Sequence, residues 1–205
     1  MLLFWDARLV FLATPKTGTH ALESALGDVA DIAFRHPPTV KHMGYAWSNR
    51  VMPRIVGQKE WTGFRTVAVM REPLSWLGSW YRYRRRNDLQ GQSNSTRDMN
   101  FSRFLRGYLA DPQPPYARLG RQWKFLRTED GRVGIDYLFP YERFEELVAF
   151  LENRLDRKIT LERQNVSPEA PLEVDPELAA PLAAQLEKDF RLYDALISGG
   201  DWKNI

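Results

Sequence analysis

The sequence predicts an α/β fold in which a mostly parallel central sheet is flanked by helices on both faces, a three-layer sandwich. Short apolar runs alternate with longer stretches whose apolar residues recur at helical spacing. The sequence contains no internal repeat that would indicate a solenoid or a propeller. At 205 residues the chain has the length of one domain, so we expect residues 1–205 to form a single unit with one good core.

The predicted elements follow from these apolar patterns. The first strand is an apolar run rich in large side chains, and the first helix after it has apolar residues three and four positions apart. A later helix starts at a proline, which suits a first helical turn. Strands are predicted at 8–13, 31–35, 66–70 and 134–139. Helices are predicted at 19–26, 74–86, 101–109, 118–126, 144–155 and 176–196.

Composition excludes several classes of protein. With 43% apolar and 27% charged residues the chain is not predicted to be disordered. It has no cysteine, which excludes disulfides, thiolate metal sites and a cysteine nucleophile. Its three histidines, His20, His36 and His42, lack close acidic partners, so we expect no metal. The apolar start leads almost directly into the first strand, so we expect a cytoplasmic protein with no membrane partner.

The turn after the first predicted strand has the composition of an anion-binding loop. Gly18 lets an anion approach the backbone, Thr17 and Thr19 offer hydroxyls, and Lys16 adds a full charge. A helix that starts there would also direct its positive end at the same point. The loop is not a Walker A sequence, because Lys16 stands two residues before Gly18. A plain strand–turn–helix junction is the alternative interpretation.

A second candidate anion site follows the predicted strand 66–70. Arg71 stands at its carboxyl end, and Ser79 lies about two turns into the helix that Pro73 begins. Ligands of parallel sheets bind beyond the carboxyl ends of the strands, so Arg71 should share an edge with the Lys16 loop. A guanidinium fork and a serine hydroxyl can hold a phosphate monoester. The alternative is that Arg71 pairs with Glu72 or with surface carboxylates.

Together the two segments resemble those of the PAPS-dependent sulfotransferases, in particular the bacterial and carbohydrate-type members. The likeness continues through 122–126, 135–142 and 163–168. It implies a P-loop-like sandwich in which the first loop holds the 5′-phosphosulfate of PAPS and the Arg/Ser pair holds the 3′-phosphate. The positions that the resemblance assigns to the donor are Pro15, Lys16, Thr17, Gly18, Thr19, His20, Arg71 and Ser79.

The resemblance also implies a reaction, the metal-independent transfer of a sulfuryl group from PAPS to a hydroxyl or amine with release of PAP. Lys16 would stabilise the charge that grows on the bridging oxygen. His42 stands where carbohydrate-type members place their catalytic histidine, and a near-neutral pKa suits proton abstraction. His36, Glu23 and Glu60 are the other candidate bases. The acceptor, a small molecule or a glycan, is not predicted further.

Two other functions fit parts of the sequence. A nucleotide phosphotransferase would need an acidic residue after a strand to hold Mg²⁺, and Asp136 is the candidate. The arginine-rich stretch 82–86 would suit a non-catalytic nucleotide-binding or nucleic-acid-binding module, or simply a solvated helix face. We expect no nucleic-acid partner, because the same helix carries the Arg71/Ser79 site. The polar stretch 87–100 is either a lid or a disordered surface insert.

Overall fold

The computed structural model describes residues 1–161 and 168–205, so most of the predicted motif at 163–168 lies outside the described residues. Within them the strands are β1 Leu2–Phe4, β2 Leu9–Leu12, β3 Ile32–Ala33, β4 Arg65–Met70 and β5 Tyr137–Pro140. The helices are α1 Thr19–Leu26, α2 Pro38–Lys41, α3 Tyr45–Val56, α4 Gln58–Trp61, α5 Pro73–Tyr83, α6 Phe101–Leu109, α7 Gln122–Leu126, α8 Phe144–Leu155, α9 Ala179–Gln185 and α10 Glu187–Ser198.

The sheet is mixed, with strand order β3-β1-β2-β4-β5. Strands β2, β4 and β5 run parallel, as predicted. Strand β1 is antiparallel to both of its neighbours, so the prediction of a mostly parallel sheet is wrong for that half. The apolar start of the chain is itself a strand that turns back at Trp5–Arg8 into β2, with Leu2 opposite Phe11. A three-residue strand is too short to show a period, which explains why the sequence did not reveal it.

Helices cover both faces of the sheet. Because side chains alternate along a strand, Leu3, Val10 and Leu12 pack with α3, α4, α7 and α10 on one face. On the other face Leu2 and Phe11 pack with α1 and α8. A third apolar cluster joins α5, α6 and α9 and contains no strand residue. The predicted α/β class, one sheet flanked by helices, is confirmed.

Several helix boundaries differ from the predictions. The stretch 176–196 is not one helix but a 3₁₀ turn, Pro176–Leu178, followed by α9 and α10, which are separated at Leu186. Of the predicted helix 118–126 only α7 is helical. Helices α3 and α4 had no predicted bounds. No helix in the described ranges is long and apolar enough to cross a bilayer.

The polar stretch 87–100 packs onto helix α5. Thr96 is fully buried; its hydroxyl donates to the Tyr81 carbonyl at 2.6 Å and its N–H donates to the Arg84 carbonyl at 3.1 Å. The Arg85 guanidinium donates in turn to the Thr96 carbonyl at 3.0 Å. This bonding contradicts a disordered insert. It also shows that part of the arginine-rich stretch binds main-chain carbonyls rather than facing solvent alone.

Candidate functional site

The Lys16 loop and Arg71 leave the same edge of the sheet. Strands β2 and β4 are parallel neighbours, with Leu12 opposite Ala68, so the residues that follow them start side by side. The Trp76 indole N–H donates to the Pro15 carbonyl at 2.9 Å and ties the loop to helix α5. The two segments that the sequence singled out therefore form one site at the carboxyl ends of adjacent strands.

The backbone of the Lys16 loop is tightly turned. Lys16 and Gly18 both have positive φ, 65° and 75°, and a β-carbon at Gly18 would come within 3.0 Å of the Phe144 ring. The buried Thr17 hydroxyl donates to the Thr14 carbonyl at 2.9 Å, so its proton serves the loop rather than a ligand, contrary to its predicted role as a hydroxyl donor. The loop leads into α1, whose first N–H groups have no partners within the helix.

Helix α1 places the last two predicted loop residues differently. Thr19 is its first residue and is buried. His20 follows and is 61% exposed, with its ring 3.9 Å from the Glu23 carboxylate. Thr19 thus lies within the turn where the helix N–H groups converge, and His20 lies on its outer rim.

The Lys16 side chain is held by aromatic rings. Its Nζ lies 4.2 Å from the centre of the Tyr83 ring and 5.9 Å from that of Trp80, within the range of cation–π attraction. Burial, followed by the nearby charges of Arg71 and Arg86, lowers the Lys16 pKa to about 8. Within residues 1–161 and 168–205 no carboxylate forms an ion pair with it. Among the described residues, this half-buried cation therefore has no anion paired with it.

Arg71 is a second half-buried cation that forms no ion pair among the described residues. Its Nε donates to the Ser75 hydroxyl at 2.8 Å, and its guanidinium carbon lies 4.5 Å from the centre of the Tyr141 ring. Burial lowers its pKa, and the nearby charges of Glu142 and Glu72 offset part of that effect. The side chain of Glu72 caps α5 by accepting from two backbone N–H groups, and no ion pair joins it to Arg71 in the described chain. The alternative pairing with Glu72 is therefore not what the structure shows.

Two residues of this site were not predicted. Buried Gln122 accepts from the Arg71 N–H at 2.9 Å and donates to the Arg71 carbonyl at 2.8 Å, which fixes the arginine backbone. Ser75 lies one helical turn before Ser79, so the two serines share a face of α5. The four-residue spacing from Arg71 to Ser75 could have indicated in the sequence that these two side chains meet. Gln122 lies 51 positions from Arg71, and no sequence pattern indicates its contact.

His42 contacts the start of the same loop. Its Nδ1 is 2.7 Å from the carbonyl oxygen of Ala13, the residue after β2. A carbonyl only accepts, so Nδ1 carries the hydrogen and Nε2 keeps its lone pair in the neutral ring. Burial is the main cause that lowers the His42 pKa below its usual 6.5. The imidazole is therefore neutral at pH 7 and able to accept a proton at Nε2.

The other candidate bases are placed less favourably. The Glu23 carboxylate is paired with Lys41 at 2.6 Å, and both side chains are largely buried. His36 is exposed. Glu60 pairs at 2.8 Å with Arg8, the residue that precedes β2. It therefore lies at the opposite edge of the sheet from the Lys16 loop.

Asp136 also lies at that opposite edge. It directly precedes β5, and its carboxylate accepts from the N–H and the hydroxyl of Thr66 at 2.8 and 2.9 Å. Its predicted alternative role, to hold a magnesium ion beside the loop, does not fit this position. Among the residues that the structure describes, no cluster of three or more acidic or histidine side chains could hold a metal ion.

A cavity of about 410 Å³ adjoins the site. Its wall runs from Thr14 and Pro15 of the loop to the start of α3, to α5 and to the segment around α7. The wall also includes Gly44, Ala46, Trp47, Arg50, Trp76, Trp80, Gly120, Arg121, Gln122, Lys124 and Phe125. This volume lies in the range of small-molecule sites, about 300–1,000 Å³.

Comparisons of the chain with models of protein families, with curated proteins and with solved structures found no match. The site is therefore interpreted from its own geometry.

Proposed function

We propose that the protein is a PAPS-dependent sulfotransferase with a P-loop-like fold. The observation that carries the proposal is the pair of half-buried cations, Lys16 and Arg71, which leave adjacent parallel strands without carboxylate partners in the described chain. A cation held in this way is costly unless an anion joins it. Two separate cations fit a ligand with two separate anionic groups better than they fit a single phosphate.

The residues suggest how such a donor would be held. The Lys16 loop and the N–H groups at the start of α1 would bind the phosphosulfate. Arg71, with Ser75 and Ser79 on the same face of α5, would bind the 3′-phosphate. Ser75 adds a hydroxyl to the Arg/Ser pair that the sequence resemblance implied, because it already orients the guanidinium.

Two side chains would carry out the chemistry. PAPS would supply the sulfuryl group, whose bond to the phosphate oxygen breaks as a bond to the acceptor oxygen or nitrogen forms. Lys16 would stabilise the negative charge left on the phosphate oxygen. His42 would take the acceptor proton at Nε2, while the Ala13 carbonyl stabilises the charged ring through Nδ1.

The deciding experiment is a calorimetric titration of the full chain with PAP and with ADP. Both nucleotides carry two phosphate groups, but only PAP has one at the 3′ position. One charge-assisted hydrogen bond contributes roughly 1.5–3 kcal/mol, so we expect PAP to bind about ten to more than a hundred times more tightly than ADP. Equal affinities would overturn the proposal. A second assay, with labelled PAPS and excess EDTA, should show transfer undiminished, whereas a Mg²⁺-dependent phosphotransferase would stop.

A further inference from the structure

The cavity beside the Lys16 loop has a wall of one charge sign. Three cationic side chains line it, Arg50, Arg121 and Lys124, and none of its described wall residues carries a carboxylate. Glu129 lies 3.7 Å from Arg50, but both side chains are exposed and solvent screens the pair. Lys124 is exposed and forms no ion pair in the part of the chain that the structure describes. An anionic ligand would therefore be favoured in this cavity.

The same wall is rich in aromatic rings. Trp47, Trp76, Trp80 and Phe125 contribute to it from three elements. Aromatic faces bind flat rings and the apolar faces of sugar rings, and a few charged groups at the margin orient such ligands. The cationic side chains and the aromatic rings of the wall together indicate a ligand that contains a ring and an acidic group.

The cavity adjoins the segments that carry the two residues assigned to chemistry. Thr14 and Pro15 form part of its wall, and in the chain they stand between Ala13, whose carbonyl binds His42, and Lys16. Gly44, also in the wall, is two residues after His42. Neither His42 nor Lys16 is itself part of the wall, so a ring bound here would lie beside the segments that hold them.

Two polar atoms on this wall are unsatisfied. Thr14 Oγ1 and Trp80 Nε1 are buried, and neither has a hydrogen-bond partner among the described residues. Buried polar groups without partners are rare in native proteins and destabilise them. Both atoms have almost no accessible surface, so a ligand in the cavity could reach either one only after a side chain rotates, and they do not by themselves select a hydroxylated ring.

We propose that this cavity is the acceptor site and selects a hydroxylated ring bearing an acidic group. The assignment as acceptor site and the ligand hydroxyl rest on the proposed sulfotransferase function; the choice of a ring bearing an acidic group rests on the cavity wall alone. The acidic ring could be a sugar acid or a phenolic acid, which share the hydroxyl, the flat or apolar face and the carboxylate. The experiment separates these two sources.

The test measures binding to the PAP-saturated full chain by calorimetry, so that it does not depend on turnover. The probes form matched pairs: glucuronate with glucose, and 4-hydroxyphenylacetate with tyramine. We expect at least one acid to bind about fivefold or more tightly than its uncharged or cationic partner, and the better acid identifies the source. Equal binding within both pairs, or no binding by either acid, would overturn the proposal.

Variants locate the binding to this wall. Lys124→Gln should weaken acid binding about twofold to fivefold and leave glucose and PAP binding unchanged, because one exposed charge is lost. Trp47→Ala should weaken the acid and its uncharged partner alike. Arg54→Gln is the matched control, since Arg54 is exposed on the same helix as Arg50 and Trp47 but is not part of the wall.

An equal effect of Lys124→Gln and Arg54→Gln would show a general charge effect and overturn the assignment. The same titrations distinguish the two proposals. If PAP shows no preference over ADP while the acids still bind in the absence of nucleotide and respond to Lys124→Gln, the sulfotransferase proposal fails and the ligand class of the cavity stands. If PAP is preferred and the acids do not bind, the sulfotransferase proposal stands and the ligand class of the cavity is overturned.

Discussion

Arginines lie at both edges of the sheet, but among the described residues those compared here form ion pairs with carboxylates only at the amino-terminal edge. At the amino-terminal edge of the sheet Arg8 pairs with Glu60 and Arg65 with Asp136. At the carboxyl-terminal edge Arg71 lies over a tyrosine ring and binds a serine hydroxyl instead. Lys16, next to it, lies over two aromatic rings.

This contrast favours the carboxyl-terminal edge as the one that binds a ligand. The exposed ion pairs of the amino-terminal edge contribute little to stability, about 0–1 kcal/mol each, and need nothing else. At the other edge burial disfavours the charges of Lys16 and Arg71 and lowers both pKa values. An anion bound there would stabilise both charges. Substitutions at this edge should therefore weaken ligand binding, and substitutions at the other edge should not.

The largest effect is expected for His42, the proposed base. His42→Ala should lower kcat by about 10²–10⁴ and leave PAP affinity nearly unchanged. Because burial lowers the His42 pKa below 6.5, the rate of the unsubstituted protein should rise with pH through a limb below pH 6.5 and stay level above it. The variant should lose that limb. His36→Ala is the control; full turnover and an unchanged pH profile in His42→Ala would instead return attention to His36 and Glu23.

Lys16→Ala should have the next largest effect, about 10²–10³ on kcat, because a charge that stabilises the leaving phosphate oxygen is removed. PAP affinity should fall as well. Arg8→Ala removes one cation from the opposite edge and should change neither quantity. Initial rates with labelled PAPS measure both variants, and equal losses would show that the two edges of the sheet do not differ in function.

Arg71→Ala should act on binding rather than on chemistry. The 3′-phosphate does not change during the proposed transfer. Loss of its contact with Arg71 should therefore lower the affinities for PAP and PAPS equally, by about tenfold to a hundredfold, and change the affinity for ADP much less. Arg65→Ala, at the start of the same strand, is the matched control and should leave all three affinities unchanged. A variant Arg71→Ala that keeps its preference for PAP over ADP would remove Arg71 from the 3′-phosphate site.

The sequence alone predicts the secondary structure around the Lys16 loop and Arg71. Helix α1 lies at the predicted 19–26, and β4 differs from its predicted range by one residue, because apolar periodicity and turn composition act over a few residues. Parallel pairing of β2 and β4 then brings the ends of both strands to one edge. The positions of Lys16 and Arg71 follow from that topology.

The rest depends on contacts between distant parts of the chain. The Gln122 side chain holds Arg71 across 51 positions, and His42 meets the Ala13 carbonyl across 29. No residue pattern within one segment encodes these two contacts, since tertiary packing decides which polar groups meet. One missed contact is local: the Thr17 hydroxyl was expected to face an anion, but the tight turn of the loop brings it to the Thr14 carbonyl, three residues earlier.

Asp136→Ala should affect stability and not binding. Its carboxylate accepts two hydrogen bonds from Thr66, so the free energy of unfolding should fall by about 1–3 kcal/mol. PAP affinity and transfer in EDTA should be unchanged, because this carboxylate lies at the other edge of the sheet. Urea unfolding and calorimetry measure the two effects. A variant with normal stability and no nucleotide binding would support the phosphotransferase alternative.

The smallest effect separates the two edges without any substrate. The folded-state pKa of Lys16, about 8, lies below its usual 10.5, so between these values the unfolded chain binds more protons and stability rises with pH. Below pH 8 the cost of burying the charge is fully present. Lys16→Met should therefore be more stable than the unsubstituted protein at pH 7, by up to about 1 kcal/mol after solvent screening. This difference in stability should disappear towards pH 10.

The control is Arg65→Met, which loses an ion pair with Asp136 and should be no more stable than the unsubstituted protein at either pH. Saturating PAP should reverse the sign at pH 7, because the anion stabilises only the charged lysine. Urea unfolding at both pH values, with and without PAP, measures all of these differences, and a Lys16→Met gap that does not change with pH would show that the lysine is not held as an uncompensated charge.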